Sequence, residues 1–149
     1  MQIKHSDMSF LVKNQVYKFP YLLKVDHSNI RNVWNILEKY IEVNLKKGVH
    51  CETKQETYDL LSKGHLQLWL NKDSFVMTSI QTTNVGRSLV IGFGYGNKHN
   101  IKDMVDGKIK EWAKEMGCKN LIVNGRLGWK RFFNNINFKA KSITLVKEI

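Results

Sequence analysis

The sequence predicts an α/β (α+β) domain in which helices flank a mixed central sheet. Near the N-terminus, apolar residues recur at steps of three and four, which is the period of an amphipathic helix. Between residues 65 and 93 the period falls to two, which indicates consecutive strands joined by short turns. After residue 100, helical and strand patterns alternate, as they do in a sheet with helices packed on it.

The first readable elements are a strand and a long helix. Residues 19–25 form a mostly apolar cluster that is consistent with a strand. Asp26 or Ser28 can cap the helix that follows. Gly48 marks the end of this helix. Its apolar face is predicted to comprise Ile30, Val33, Trp34, Leu37, Tyr40, Ile41 and Leu45.

A second, shorter helix leads into an antiparallel meander. Thr53 and Glu56 have the spacing of a capping box, and Gly64 is a suitable C-terminal stop. Leu66, Leu68 and Leu70 then alternate with other residues. Turn residues separate the three predicted strands, which are 65–70, 75–83 and 87–93.

A third helix follows a glycine-containing stretch. Gly92, Gly94 and Gly96 end the meander in a flexible segment, or they let its third strand bulge away from a neighbour. Asn100 is predicted to cap the helix and Gly117 to close it. The apolar face of this helix is Ile101, Met104, Val105, Ile109, Trp112 and Met116.

The last elements are short. Residues 121–123 are apolar on all sides, which predicts a central strand. Residues 126–135 are predicted to form a helix that carries Trp129, Phe132 and Phe133. Residues 138–146 are predicted to form a final strand with Ile143 and Leu145 on one face.

Length and charge limit the classes of protein to which this chain can belong. A chain of 149 residues suits a single domain spanning 1–149. Its net charge of +11 indicates an anionic partner, although a lysine- and asparagine-rich composition also follows from an AT-rich genome. Two cysteines, Cys51 and Cys118, form no disulfide framework, and no apolar run reaches membrane-helix length. A cytoplasmic location is expected.

Two sequence segments carry a resemblance to a known family. Residues 112–118 read Trp-Ala-Lys-Glu-Met-Gly-Cys, and residues 125–129 read Gly-Arg-Leu-Gly-Trp after a short apolar strand. Residues 66–69 read Leu-Gln-Leu-Trp after a helix and a glycine. With the order of elements, these segments resemble the GNAT (Gcn5-related N-acetyltransferase) superfamily, and within it the small GNAT-like proteins of bacteriophages.

The resemblance implies the acyl-CoA N-acyltransferase fold and a site for acetyl-CoA or CoA. The family loop, Gln/Arg-x-x-Gly-x-Gly/Ala, aligns with residues 97–102, which contain neither glycine. Lys98, His99 and Lys102 can still favour phosphate groups by charge. The candidate cofactor-binding residues are Gly92, Phe93, Gly94, Tyr95, Asn97, Lys98, His99, Asn100 and Arg126.

Arg126 is the strongest single candidate for a ligand contact. A cation at a helix start opposes the helix dipole unless an anion offsets it. Trp129, in the same segment, is expected in the core. The five histidines show no metal-ligand spacing, so no metal site is predicted.

Catalytic residues are harder to assign. The family often uses a tyrosine acid on the last helix, and the aligned residue here is Phe133, which has no proton to give. The strand at 87–93 also lacks the glutamate that often serves as the base. Tyr95 and His99 lie near the right strand end and are the remaining candidates.

Two functions follow as hypotheses. The first is an N-acetyltransferase that moves an acetyl group from acetyl-CoA to an unknown amine. The second is a non-catalytic GNAT-like protein, phage-encoded, that binds nucleic acid or a host protein. Residues 118–149 carry seven basic side chains and one acidic side chain, which favours an anionic partner in either case. A homodimer is left open, and no membrane partner is expected.

Overall fold

A computed structural model of the chain describes residues 23–45, 53–71, 73–84, 86–124, 128–143 and 145–149. Five strands form one sheet in the order β1-β2-β3-β4-β5. β1 to β4 pair antiparallel, whereas β4 and β5 pair parallel, so the predicted mixed sheet is confirmed. The strands are β1 (Leu23–Val25), β2 (Gln67–Asn71), β3 (Ser74–Thr83), β4 (Gly86–Tyr95) and β5 (Asn120–Val123).

Helices cover both faces of this sheet. They are α1 (Ile30–Leu45), α2 (Lys54–Ser62), α3 (Lys98–Met104), α4 (Lys110–Glu115) and α5 (Gly128–Phe133). A π-helical turn (Val105–Ile109) joins α3 to α4, and 3-10 turns (His27–Asn29 and Asn134–Ile136) precede α1 and follow α5. Within the ranges given above, no helix has the length and apolar character needed to cross a membrane.

Each face of the sheet has its own hydrophobic core. The first core lies under α1 and α2, and the second lies under α3, α4 and α5. Full burial of each large apolar side chain contributes about 1.5–3 kcal/mol. In the first core, the fully buried side chains of α1 are Ile30, Val33, Leu37 and Ile41, as the helical period predicts.

Hydrogen bonds fix the starts of α1 and α2. The amide and hydroxyl of Ser28 donate to the Asp26 carboxylate, which holds the pKa of that carboxyl below its usual value. The Glu56 amide donates to Thr53 Oγ1 at 3.2 Å, which confirms Thr53 as the cap of α2. Lys54 Nζ donates to Glu38 Oε1 of α1 at 3.0 Å, and this bond raises the pKa of Lys54.

A β-bulge at Gly92 divides β4 into two halves. Met77 of β3 lies opposite Phe93, but the next residue, Thr78, lies opposite Ile91, so Gly92 is one residue in excess. The extra residue reverses the alternation of side chains. Ile91 packs in the second core, whereas Phe93 packs against the first.

β5 is not a central strand, and this corrects the prediction made from its apolar sequence. It lies at the edge of the sheet within the described part of the chain, and its three apolar residues are half-buried. The predicted strand at 138–146 is also wrong. Residues 138–143 and 145–149 form no strand, and Ile143 and Leu145 are 72% and 84% exposed.

A turn precedes this C-terminal segment. Asn137 adopts a left-handed conformation with a φ of 70°, and Phe138 packs against Phe133 with ring centroids 5.2 Å apart. The large apolar residues that the structure describes beyond Phe138 are exposed, so they add no further core layer. Predictions that concern Gly48, the side chain of Leu45 and Arg126 lie outside the described residues.

Candidate functional site

A cavity of about 330 Å³ lies between the start of α3 and α5. Lys98 lines it from α3, and Gly128, Trp129 and Phe132 line it from α5. Gly128 and Phe132 are four residues apart, so they share one face of the helix. The cavity therefore joins a cation to aromatic surface.

The start of α3 is held in place by the turn between β2 and β3. The Asn97 amide donates to Ser74 Oγ at 2.9 Å. Asp73 Oδ1 accepts from the Ser74 hydroxyl at 2.9 Å and from Asn100 Nδ2 at 2.7 Å. Gly96 permits this close approach, because it has a φ of +113° and any Cβ there would meet backbone atoms of the turn.

Asn97, and not the predicted Asn100, caps α3. Its Oδ1 accepts from the amides of His99 at 2.9 Å and Asn100 at 3.1 Å. Asn97 has the extended backbone conformation of a cap. Asn100 lies inside the first turn, and its side-chain amide donates a hydrogen bond to Asp73. Two amides that could receive an anion at this helix start are thus already bonded.

We expect the substitution Asn97→Ala to lower the free energy of unfolding by about 1 kcal/mol, because it removes both capping bonds. Asn97→Gly should cost only a few tenths of a kcal/mol, since glycine is itself tolerated at the cap position. Urea unfolding of the two variants measures the difference. Wild-type stability in Asn97→Ala would show that the capping bonds do not stabilise α3.

Aromatic rings and cations surround the cavity. Trp129 stacks on Phe133 with centroids 5.2 Å apart and an interplanar angle of 18°. Phe132 has Lys102 Nζ 5.6 Å from its centroid and the His99 ring at 6.2 Å. Such a surface suits a planar, negatively charged ligand.

Trp129 also lies against the far half of β4. A Cβ on Gly94 would lie 3.2 Å from Trp129 Cη2, so any larger residue at position 94 would push the indole out of its present position. The register of β4 with β5 ends at Ile91 and Val123, while β4 itself continues to Tyr95. α5 therefore packs beside the part of β4 that extends past β5.

The structure separates the two catalytic candidates. The Tyr95 ring lies 5.1 Å from Tyr40 and 5.7 Å from Phe75, on the first-core side of the sheet. His99 is exposed and contacts Phe132, which packs against the second core. The two side chains thus lie on opposite faces of the sheet.

The other predicted binding residues divide in the same way. Gly94, Asn97, Lys98, His99 and Asn100 come together at the start of α3 and around Trp129. Phe93 stacks on Phe75 on the opposite face, and Gly92 is exposed at the bulge.

Gly128 and Phe132 line the cavity but were not predicted from the sequence as binding residues. Their four-residue spacing was the available signal, because it places both on one helix face beside Trp129. No local pattern could have indicated Asp73, which reaches α3 from 27 residues away.

No protein-family model and no curated protein sequence matches the chain. Solved structures do match it. A ribosomal-protein-alanine N-acetyltransferase from Brucella melitensis biovar Abortus 2308 superposes with a TM-score of 0.58 at 13% identity, covering 87% of this chain and 99% of that one.

Two further matches carry ligands. An aminoglycoside acetyltransferase from an uncultured soil metagenomic sample, in complex with sisomicin, gives a TM-score of 0.58 at 8% identity and covers 87% of this chain and 95% of its own. A predicted acetyltransferase with acetyl-CoA from Clostridium acetobutylicum gives 0.55 at 13% identity, covering 86% and 95%. The mixed sheet, its flanking helices and these superpositions establish that the chain has the fold of the GNAT acetyltransferases.

Proposed function

We propose that the chain is an acyl-CoA-dependent N-acetyltransferase that acts on an amine. The observation that carries this proposal is the 330 Å³ cavity, which lies in a GNAT fold beside the part of β4 that extends past β5. A structure of this fold with acetyl-CoA and another with the amine-bearing sisomicin support the two substrate classes.

The residues at the cavity fit the chemistry of acetyl-CoA. Its adenine ring is planar and its phosphates are anionic. Trp129 and Phe132 offer ring faces for stacking, and Lys98 and Lys102 offer ammonium groups for phosphates. We therefore assign these four side chains to the nucleotide part of the cofactor.

Acetyl-CoA, when bound, supplies a thioester carbon. In the transfer, the C–N bond to the amine forms and the C–S bond breaks; the amine loses a proton and the thiolate gains one. Backbone amides at the Gly92 bulge would polarise the acyl oxygen. Gly92 is exposed, and no atom lies within 4 Å of the place where its Cβ would be, so a substrate can approach the bulge.

Neither of the two catalytic candidates lies at the acyl carbon that we place at the Gly92 bulge. His99 is exposed beside Phe132, which we assign to the nucleotide, and the Tyr95 ring packs between Tyr40 and Phe75. Phe133 is 2% exposed and supplies no proton, so the transfer does not use the acid that the family often places there.

Isothermal titration calorimetry with acetyl-CoA and with CoA tests the proposal. Wild-type protein should bind both with dissociation constants at or below about 1 mM. Gly128→Phe should abolish binding by filling the cavity. Gly128→Ala is its matched control and should bind as wild type does, because no atom lies within 4 Å of a Cβ at this position.

Two further measurements complete this test. Thermal unfolding of both Gly128 variants checks that they are folded. Release of the CoA thiol from acetyl-CoA in the presence of a panel of amines reports transfer. Absence of CoA binding by folded wild-type protein would refute an acyl-CoA-dependent activity.

The second candidate function is a non-catalytic binding protein of the same fold. The observations that favour it are the buried Phe133 in place of a catalytic tyrosine and the occupied amides at the start of α3. The basic segment at 118–149 suggests nucleic acid as its partner. Binding of DNA or RNA at low salt, with steep loss on added salt and no response to CoA, would support this function over the first.

A further inference from the structure

We propose that Thr78, held in a buried hydrogen-bond network with Trp69 and Gln67, positions the Gly92 bulge for acyl transfer. This inference rests on the proposed acyl-CoA-dependent function, which places the acyl oxygen at the backbone amides of the bulge. Thr78 is 1% exposed, so it acts through the backbone of β3 and is a positioning residue.

Three buried polar side chains are bonded to one another on the second-core side of the sheet. Trp69 Nε1 donates to Thr78 Oγ1 at 3.0 Å, and Thr78 Oγ1 donates to Gln67 Oε1 at 2.9 Å. Gln67 Nε2 donates in turn to the carbonyl oxygen of Gly64, two residues after the end of α2, at 3.4 Å. A buried network in which the polar groups are bonded to each other holds its side chains rigidly.

The network lies at the level of the bulge. Thr78 lies opposite Gln67 of β2 on one side and opposite Ile91 of β4 on the other. The neighbouring Met77 lies opposite Phe93, so the register shift falls directly beside Thr78. The pair of Gln67 and Thr78 is also the last one between β2 and β3. The network thus fastens β3 to β2 at the residue where β4 changes register.

β5 supports β4 only up to the bulge. Ile91 is the last residue of β4 that pairs with β5, and its carbonyl oxygen accepts from the Asn124 amide at 3.1 Å. In the part of the chain that the structure describes, β4 continues past Ile91 with pairing to β3 alone. The position of Gly92 therefore depends on β3, and a firmly held Thr78 fixes that strand beside it.

The network also selects the present register of β3. A slip of one residue turns every side chain of a strand to the opposite face. Thr78 would then leave the second-core side, and Trp69 Nε1 and Gln67 Oε1 would lose their partner. Leaving a buried polar group unpaired costs more than an ordinary hydrogen bond contributes, so such a slip is strongly disfavoured.

Substitutions of Thr78 test the assignment in steady-state assays of CoA thiol release. Thr78→Val keeps the shape of the side chain but makes neither bond. It should lower kcat by about tenfold, because misplacing a group at the reaction centre by about 1 Å can cost up to about a hundredfold. KM for acetyl-CoA and the dissociation constant of CoA should keep their wild-type values, since the network does not line the cavity. Thr78→Ser retains the hydroxyl and should restore kcat.

Thr57→Val is the matched control. Thr57 is another buried threonine, and its hydroxyl donates to the Thr53 carbonyl oxygen at 2.9 Å at the start of α2. Its substitution should lower stability and leave kcat unchanged. If it lowers kcat as much as Thr78→Val does, the loss follows stability and the assignment is wrong. Gln67→Met removes the acceptor of the network, should lower kcat in the same direction, and serves as the test if Thr78→Val does not fold.

A measurement on the free protein separates this assignment from the proposed function. NMR relaxation dispersion detects microsecond-to-millisecond motion. The amides of Gly92 and Phe93 should show such motion in Thr78→Val, but not in wild type, Thr78→Ser or Thr57→Val. Wild-type kcat and a bulge without this motion in folded Thr78→Val would overturn the assignment. Wild-type protein that binds no CoA refutes the proposed function, and the dispersion measurement then decides by itself whether the network holds the bulge.

Discussion

Gly96→Ala is expected to lower the free energy of unfolding by about 3–5 kcal/mol, the sum of backbone strain and overpacking. Gly96 has a φ of +113°, which side-chain-bearing residues rarely adopt. A Cβ at this position would also meet the Asp73 carbonyl oxygen and would lie 2.8 Å from Ser74 Cα. Both are backbone atoms of a tight turn, so neither can move aside without breaking the contacts that hold α3.

Urea unfolding followed by circular dichroism measures this loss, and Gly92→Ala is the matched control. Gly92 lies on β4, which ends just before Gly96, and nothing is within 4 Å of the place where its Cβ would be. Its substitution should change stability by no more than about 0.5 kcal/mol. Similar losses in both variants would mean that the contact between Gly96 and the β2–β3 turn is not the cause.

Phe133→Ala should cost about 3–5 kcal/mol, the usual range for truncating a buried phenylalanine. Phe133 is 2% exposed and is surrounded by other rings. Trp129 stacks on it at 5.2 Å, and Phe132 and Phe138 meet it edge-on at 5.3 and 5.2 Å. Trp129 and Phe132 pack on Phe133 and line the cavity. The Phe133→Ala variant should therefore also bind CoA more weakly than wild type, even where it is fully folded.

Leu145→Ala is the comparison for this prediction. Leu145 is 84% exposed, so its truncation should change stability by less than about 0.5 kcal/mol. If residues 138–146 formed a strand with Leu145 facing a core, the same change would cost about 2–5 kcal/mol. Chemical denaturation of the two variants therefore tests the role of Phe133 and the course of the C-terminal segment at the same time.

Local periodicity accounts for what the sequence predicted correctly. The apolar face of α1 follows from a 3.6-residue period, and Ile30, Val33 and Leu37 are buried as that period requires. The meander follows in the same way from two-residue alternation and turn residues, since neighbouring strands joined by short turns pair with each other.

Contacts between residues far apart in the chain account for the features that could not be predicted from the sequence. Asn97 and Asn100 are equally good caps in isolation, and contacts with the distant Asp73 and Ser74 distinguish them. The edge position of β5 depends on which segment pairs beyond it, and three apolar residues cannot specify that.

The candidate site was predicted in part for the same reasons. Lys98 and His99 were predicted from their charge and their place after β4, and the structure places Lys98 at the cavity and His99 beside Phe132. Phe93 and Tyr95 were assigned to the site by proximity in sequence. The three glycines indicated that this strand could bulge, but not that the bulge falls at Gly92, where it turns Phe93 and Tyr95 to the other face.

The bulge has a consequence for the cooperativity of the fold. Without it, every second residue of β4 would serve the same core from end to end; with it, Ile91 and Phe93 are two residues apart and belong to different cores. The half of β4 before the bulge thus lines the second core through Leu89 and Ile91, and the half after it lines the first core through Phe93 and Tyr95. If either core opens, the strand loses its support and the other core loses its wall, so the two sides of the sheet should unfold as one unit.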